Sequence, residues 1–325
     1  MSKAIRIHKT GGPEVLSWDD VDVGKPGKGE ALIRHSAVGL NFIDTYMRTG
    51  LYPMPQMPSG IGLEGAGVVE AIGDGVTSIS VGDRVAYAGG PAGSYSEVRV
   101  MPVAGLVKVP DGIDDIQAAS MMLKGMTARY LLRSTYMVQP GDTILFHAAA
   151  GGVGLIACQW AKHLGATVIG TVGSDAKAAL AKAHGCDYPI VYTRENFVER
   201  VKEITGGKGV PVVYDSVGKD TYPASLDCLR PRGMFVTFGN SSGPIGEMNP
   251  LILSLKGSLF MTRPTLGHYT GTRSELEETA NDLFDVVKKG HVKLEINQTY
   301  PLKDAAQAHR DLETRKTTGQ TVMLP

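Results

Sequence analysis

Two rhythms of apolar and polar positions divide the chain. From Met1 to about Pro110, short β-rich runs over 31–34, 67–72, 83–88 and 95–100 are separated by glycine turns. This pattern predicts an all-β region with irregular connections, such as a small barrel. Glycines in the run Gly-Ile-Gly-Leu-Glu-Gly-Ala-Gly over 60–67 and in Gly73-Asp-Gly75 punctuate it, and Val81-Gly-Asp-Arg-Val85 reads as a turn feeding a strand.

After about Ala118 the rhythm changes. A compact apolar run over 142–147 leads into a glycine turn, and Val153, Ile156, Trp160 and Leu164 then recur at helical spacing until Gly165. The alternation continues with strands over 166–172, 188–192, 210–215, 233–238 and 258–261. Helices are expected over 175–184, 195–204, 222–229 and from about Pro250. Nearly all-apolar strands separated by helices indicate a parallel sheet covered on both faces, a doubly wound α/β domain. From about Arg273 an amphipathic helix and a β-like segment over 320–324 are expected to return and complete the first region.

At 325 residues, two domains are the default. The 33 basic residues balance the 33 acidic ones, and no run of like charges marks a nucleic-acid or membrane patch. The 41 glycines are spread among apolar segments, as turns and close backbone approaches would require. Cys158, Cys186 and Cys228 form no Cys-x-x-Cys pair and read as buried thiols. No apolar window reaches the roughly 18 residues of a membrane span, so a cytoplasmic protein is expected. The eight histidines form no His-x-x-x-His pair, and His147 at a strand end reads as a packed residue rather than a base. A Gly-x-Ser-x-Gly elbow is absent, which leaves serine hydrolysis unsupported.

The chemistry-bearing turn is Ala148-Ala-Ala-Gly-Gly-Val-Gly154, in which Ala149, Gly151 and Gly154 occupy the three glycine positions of the dinucleotide fingerprint. Taken alone the match is weak, since such a turn also serves close packing. Its place after a strand, before a helix and at the head of the alternating series favours dinucleotide binding. At the end of the next strand, where an acidic residue would hold the ribose of NAD, stands Gly173. Ser174 can donate a hydrogen bond and Lys177 a charge to a 2′-phosphate, so NADPH is the expected cofactor. Asp175 is the dissenting charge, and a helix N-cap role accounts for it.

Several further segments, in order, resemble the quinone oxidoreductases of the zinc-free branch of the medium-chain dehydrogenase/reductases, the group that includes zeta-crystallin. They are Val38-Gly-Leu-Asn-Phe-Ile-Asp-Thr-Tyr46 with Gly50-Leu-Tyr52-Pro, Pro58-Ser-Gly-Ile-Gly-Leu-Glu-Gly-Ala-Gly67, the 148–154 turn, Tyr214-Asp-Ser-Val-Gly218 and Phe238-Gly-Asn-Ser-Ser-Gly243. The resemblance implies a GroES-like, mostly-β substrate domain over 1–125 and 265–325, and a Rossmann domain over 126–264. It also implies a cofactor lying in the cleft and, as often in this family, a homodimer formed through the 258–261 strand. The implied cofactor contacts are Asn41, Tyr130, Gly151, Gly152, Val153, Gly173, Ser174, Lys177, Tyr192, Ser216, Phe238, Gly239, Asn240, Ser241 and Arg315.

Related alcohol dehydrogenases hold zinc through a Cys and the His of a Gly-His-Glu triplet, positions that here read Asn41 and Leu63. Neither residue supplies a zinc ligand of that kind, and the four clustered cysteines of the family's structural zinc lobe are absent. The implied acceptors are those that take a hydride without a metal: quinones first, enones or enals as the alternative. Asn41, Tyr46, Tyr52 and Lys124 are the candidates for lining the pocket and donating to the oxygen where charge develops. Tyr52 reads equally as a surface-loop tyrosine, and Asp44 equally as a structural cap. From a different class come a non-catalytic crystallin role and RNA binding, the latter opposed by the neutral charge.

Overall fold

A computed structural model describes residues 1–325. The chain forms two compact units, the first made of 1–126, 270–284 and 294–325, the second of 127–269 and 285–293.

The first unit opens with β1 (Ser2–Ile7), β2 (Leu16–Val21), β3 (Glu30–Gly39), α1 (Phe42–Thr49) and β4 (Ser59–Gly60). It continues through β5 (Glu64–Ile72), β6 (Arg84–Ala88), β7 (Val98–Pro102) and β8 (Val107–Lys108) to α2 (Asp115–Tyr130). In sequence the second unit follows, with β9 (Thr143–Phe146), α3 (Gly152–His163), β10 (Thr167–Val172), α4 (Asp175–Ala183), β11 (Tyr188–Val191), α5 (Phe197–Ile204) and β12 (Val210–Asp215). Next come β13 (Leu229–Thr237), α6 (Leu251–Leu255) and β14 (Phe260–Thr262), before α7 (Arg273–Lys288), β15 (Ile296–Pro301), α8 (Ala305–Glu313) and β16 (Gln320–Leu324).

Two sheets build the first unit. One has three strands in the order β2-β1-β4; the other is ordered β15-β16-β3-β5-β6-β8, with β7 also pairing β3. The final strand does return: Val322 lies opposite Gly39 in an antiparallel pair with β3. Apolar positions of these strands bury Ile33, Val69, Val85, Tyr87 and Met101 in one cluster, and Ile5, Val38 and Met323 in another, joined there by Leu40 just after β3 and Tyr95 before β7.

The second unit is a six-stranded sheet in the order β11-β10-β9-β12-β13-β14, every pairing parallel. All six residues of β12 are buried, as a strand covered on both faces requires. Leu145, Ile169, Ile190, Val201, Val213 and Phe235 interlock as its core. Because β9 pairs β10 on one side and β12 on the other, the winding reverses at the end of β9, the point where such sheets bind ligands. Two expected helices are reduced: 222–229 becomes a short 3-10 turn over Ala224–Cys228, and the helix near Pro250 spans only Leu251–Leu255. No helix is long and apolar enough to cross a membrane.

Candidate active site

The dinucleotide turn stands at the reversal point. Ala148 takes a left-handed φ of 56°, and Gly151 is the extended N-cap of α3, so Gly152 and Val153 occupy its first turn. An α-helix N-terminus presents unpaired N–H groups and a positive dipole end, a setting for phosphate. Gly154 is required by close approach: a Cβ there would lie 2.7 Å from the carbonyl carbon and oxygen of Ala149 and closer still to the Ala148 oxygen. His147 braces the turn from below, fully buried. Its Nδ1 shares a hydrogen bond with Thr171 Oγ1 at 2.8 Å and its Nε2 one with Ser225 Oγ at 3.0 Å, and Ser225 donates in turn to Asp215 at 3.1 Å. Burial holds the His147 pKa below the usual imidazole value, so it packs as a neutral residue, as its sequence context indicated.

At the end of β10, Gly173 leaves room for Tyr192, whose hydroxyl would stand 2.9 Å from any Cβ placed on it. The sequence reading gives the cap of α4 to Asp175; the structure corrects this by one residue. Ser174 is the extended N-cap, with Oγ accepting the Lys177 N–H at 3.3 Å, while Asp175 is already helical. Asp175 instead receives both arms of the Arg194 guanidinium, at 2.7 and 2.5 Å. Those hydrogen bonds hold its carboxyl below the ordinary range. Arg194, unnoticed in the sequence, thus neutralises the dissenting charge.

The other expected cofactor residues of this unit fall on two strand ends and a helix end. The loop after β13 lies against the loop after β12: Ser241 donates to the Ser216 carbonyl at 3.1 Å, and a Cβ on Gly239 would stand 2.5 Å from that same oxygen. Asn240 lies in this loop, and the Phe238 ring packs on Phe146 at 5.7 Å. Tyr130 closes α2 and stacks on Tyr269 with ring centroids 4.6 Å apart.

In the first unit, Asn41 and Lys124 converge on a residue the sequence reading did not select. Glu64, fully buried, accepts Asn41 Nδ2 at 2.7 Å and Lys124 Nζ at 3.0 Å on one oxygen, and the Leu123 N–H at 2.7 Å on the other. The sequence marked the place only by the Gly62-Leu63-Glu64 spacing shared with the zinc triplet. Lys124 is buried beside Ser120, Met121 and Met122 of α2, so this ion pair forms in a dry environment where Coulomb attraction is strong. Asn41 is the N-cap of α1, and its own N–H donates to Asp44 at 2.9 Å. Asp44, in the first turn, thus completes a capping box with Asn41. Tyr46 and Tyr52 meet edge to face at 5.3 Å, the Tyr52 N–H donating to the Tyr46 carbonyl at 3.0 Å. Arg315 follows α8 with a left-handed φ of 60°.

Leu63 is apolar, Asn41 is committed to Glu64, and no group of three or more His, Cys, Asp or Glu side chains is arranged to hold a metal ion. The donor set does not fit zinc.

Comparison with known proteins agrees with this architecture. Residues 27–111 match the alcohol dehydrogenase GroES-like domain, and residues 152–285 the zinc-binding dehydrogenase family. A quinone oxidoreductase of Pseudomonas aeruginosa is 57% identical over 325 residues, covering 100% of both chains. A 2-haloacrylate reductase of a Burkholderia species is 50% identical over 334 residues, covering 100% of this chain and 99% of the other. Among solved structures, Escherichia coli quinone oxidoreductase complexed with NADPH superposes with a TM-score of 0.98 at 51% identity, covering 99% of this chain and 100% of that one. From the sheet order, the dinucleotide turn and this full-length identity, the chain belongs to the quinone oxidoreductase family of the medium-chain dehydrogenase/reductases.

Proposed function

We propose that this protein is an NADPH:quinone oxidoreductase working without zinc, and that Asn41 and Lys124 are the hydrogen-bond donors at its reacting centre. The observation that carries the reading is Glu64 gathering an amide and an ammonium, where zinc-dependent relatives place metal ligands.

The residues present fit NADPH. The first turn of α3 supplies an anion site for the pyrophosphate, and Gly154 lets the backbone close up beneath it. Lys177 and Ser174 flank the start of α4, with no acidic residue at the end of β10 and with Asp175 neutralised by Arg194; this suits a 2′-phosphate. Tyr192 beside Gly173 offers a face for the adenine end, and the 238–241 loop with Ser216 walls the nicotinamide end. When bound, NADPH supplies a hydride.

The chain's own residues then hold and polarise the acceptor. A quinone that gains a hydride and a proton becomes a hydroquinone, and negative charge develops on its oxygen along the way. Asn41 directs one amide hydrogen to Glu64 and keeps a second. Lys124 directs one N–H to Glu64 and another toward the Ser120 carbonyl at 3.5 Å, leaving a third. Two fixed donors in a dry setting stabilise a developing oxyanion without reorganising. Tyr46 and Tyr52, packed edge to face, supply an aromatic surface for a planar acceptor.

A second reading, reduction of an activated alkene, draws on the 2-haloacrylate reductase relative. A panel of simple quinones, enones and 2-haloacrylates under NADPH separates the two. The proposal expects NADPH consumption with quinones to exceed that with the alkenes, and fails if no quinone supports turnover.

A homodimer through β14 belongs to the same reading. This edge strand carries Phe260, which is 58% exposed, and the neighbouring α6 exposes Leu251 and Leu255. A monomer in sedimentation at micromolar concentration contradicts it. Three unbridged thiols suit a reducing cytosol.

A further inference from the structure

Behind Asn41 runs a buried polar chain that oxyanion binding does not use. Asp44 Oδ2 accepts the Asn41 N–H at 2.9 Å and the Tyr95 hydroxyl at 2.7 Å. The Tyr95 oxygen lies 3.1 Å from His309 Nε2, and His309 Nδ1 lies 3.0 Å from Arg48 Nη1. Arg48 closes the chain with two hydrogen bonds to Glu313, at 3.0 and 2.7 Å. Arginine only donates, so the His309 Nδ1 accepts, Nε2–H donates to Tyr95, and the Tyr95 hydroxyl is left to donate to Asp44. From Arg48 through His309 and Tyr95, each bond is oriented toward the Asp44 carboxylate, while Arg48 also donates outward to Glu313.

This chain joins segments far apart in sequence: α1, the loop before β7 and α8. Asp44, Tyr95 and His309 are fully buried, and Arg48 is 1% exposed. Asp44 Oδ1 is buried too and takes no hydrogen bond from any protein donor. A carboxylate so placed is half-satisfied, an arrangement that costs stability and persists where it serves another purpose.

Resting on the functional reading above, we propose that Asp44 is a positioning residue: its ionised carboxylate, oriented by Tyr95, His309 and Arg48, holds the Asn41 end of α1 in the geometry that turnover requires. The charged and titratable groups facing it are Arg48 on α1, Glu64 on β5, Lys124 on α2, Tyr95 in the loop before β7, and His309 with Glu313 on α8. Burial pushes the Asp44 pKa up to about 7, against the opposing pull of the Tyr95 hydroxyl and the Asn41 N–H. Protonation of Asp44 therefore falls in the neutral range, where it weakens the grip on the Asn41 N–H and lowers kcat.

The test measures kcat against pH for NADPH-dependent quinone reduction in the whole protein, alongside an infrared titration of the protonated-carboxyl absorption. Wild type is expected to show an acid limb near pH 7, with an infrared component of the same midpoint that is missing in Asp44→Asn. In Tyr95→Phe, loss of one hydrogen bond to the charged form moves both midpoints up by about one pH unit, a roughly tenfold lower kcat at any pH below both limbs. The KM for NADPH stays unchanged. Should Asp44→Asn fail to fold, Tyr95→Phe alone decides. An acid limb that stays in place in Tyr95→Phe while the infrared midpoint moves overturns the proposal, as does a limb that survives in Asp44→Asn. If wild type reduces no quinone, the functional reading falls first and the positioning role with it, an outcome distinct from turnover that is merely insensitive to Asp44.

Discussion

Replacing Glu64 with Gln tests the buried cluster that Glu64 forms with Asn41 and Lys124. The carboxylate serves three donors: Leu123 N–H at one oxygen, Asn41 Nδ2 and Lys124 Nζ at the other. A glutamine has one acceptor oxygen and one amide group, so either orientation sets donor against donor, and Lys124 keeps its charge with no counter-charge. Breaking a buried ion pair from one side costs about 3–5 kcal/mol. The same stability loss should shrink when Lys124 is also made Met, because the stranded charge is then gone; the double-mutant cycle should give a coupling of about 2 kcal/mol or more. The chain suits the assay, with Trp18 in β2 of the first unit and Trp160 in α3 of the second. In a Trp160→Phe background, guanidinium unfolding followed by fluorescence reports on the first unit alone. A loss below about 1 kcal/mol for Glu64→Gln, or strict additivity in the cycle, refutes the reasoning.

Other expectations follow from single features. Gly154→Ala forces its Cβ against the Ala149 carbonyl and should cost about 1–3 kcal/mol and at least tenfold in NADPH affinity, measured by nicotinamide fluorescence; unchanged binding would remove the glycine from the cofactor account. Lys177→Ala should weaken NADPH about tenfold or more while leaving NADH untouched, one charge-assisted hydrogen bond being worth about 1.5–3 kcal/mol. Equal losses for both nucleotides would contradict the 2′-phosphate assignment. Burial lowers His35 to a pKa of about 4 and His309 to about 3, from the usual 6.5. Below pH 6.5 the unfolded chain binds these protons first, so each histidine subtracts about 1.4 kcal/mol of stability per pH unit as pH falls toward 4. Asp44, raised to about 7, binds its proton first in the folded state and opposes them with one such slope. Denaturant unfolding from pH 6.5 to 4.5 should therefore lose about 1.4 kcal/mol per pH unit from these three groups, and His35→Gln should flatten that slope; an unaltered slope shows that His35 is not held neutral.

The doubly wound unit was legible because its strands are covered on both faces, so apolar runs such as Val210–Asp215 stand out between helical spacings. Helix α1 was not. It is only eight residues long, and it fully buries the polar Asp44, Thr45 and Arg48 while Phe42, Ile43 and Met47 stay half-buried, so its short apolar stripe does not mark the face it packs. The site shows the same division. The glycine turn announced itself by local spacing, while Glu64, Arg194, Tyr95 and His309 act through contacts between distant segments. The Tyr95 to His309 bond, for instance, spans 214 positions. The single-residue correction at Ser174 has a local cause: Ser and Asp are both good caps, and backbone conformation decides between them.

The most direct test of the central claim is anaerobic single turnover: the protein loaded with NADPH, mixed with excess simple quinone, and followed by nicotinamide absorbance. Loss of one NADPH per active site with matching hydroquinone, much slowed in Lys124→Met, is the predicted result. Nicotinamide that stays reduced in the wild-type protein contradicts the claim.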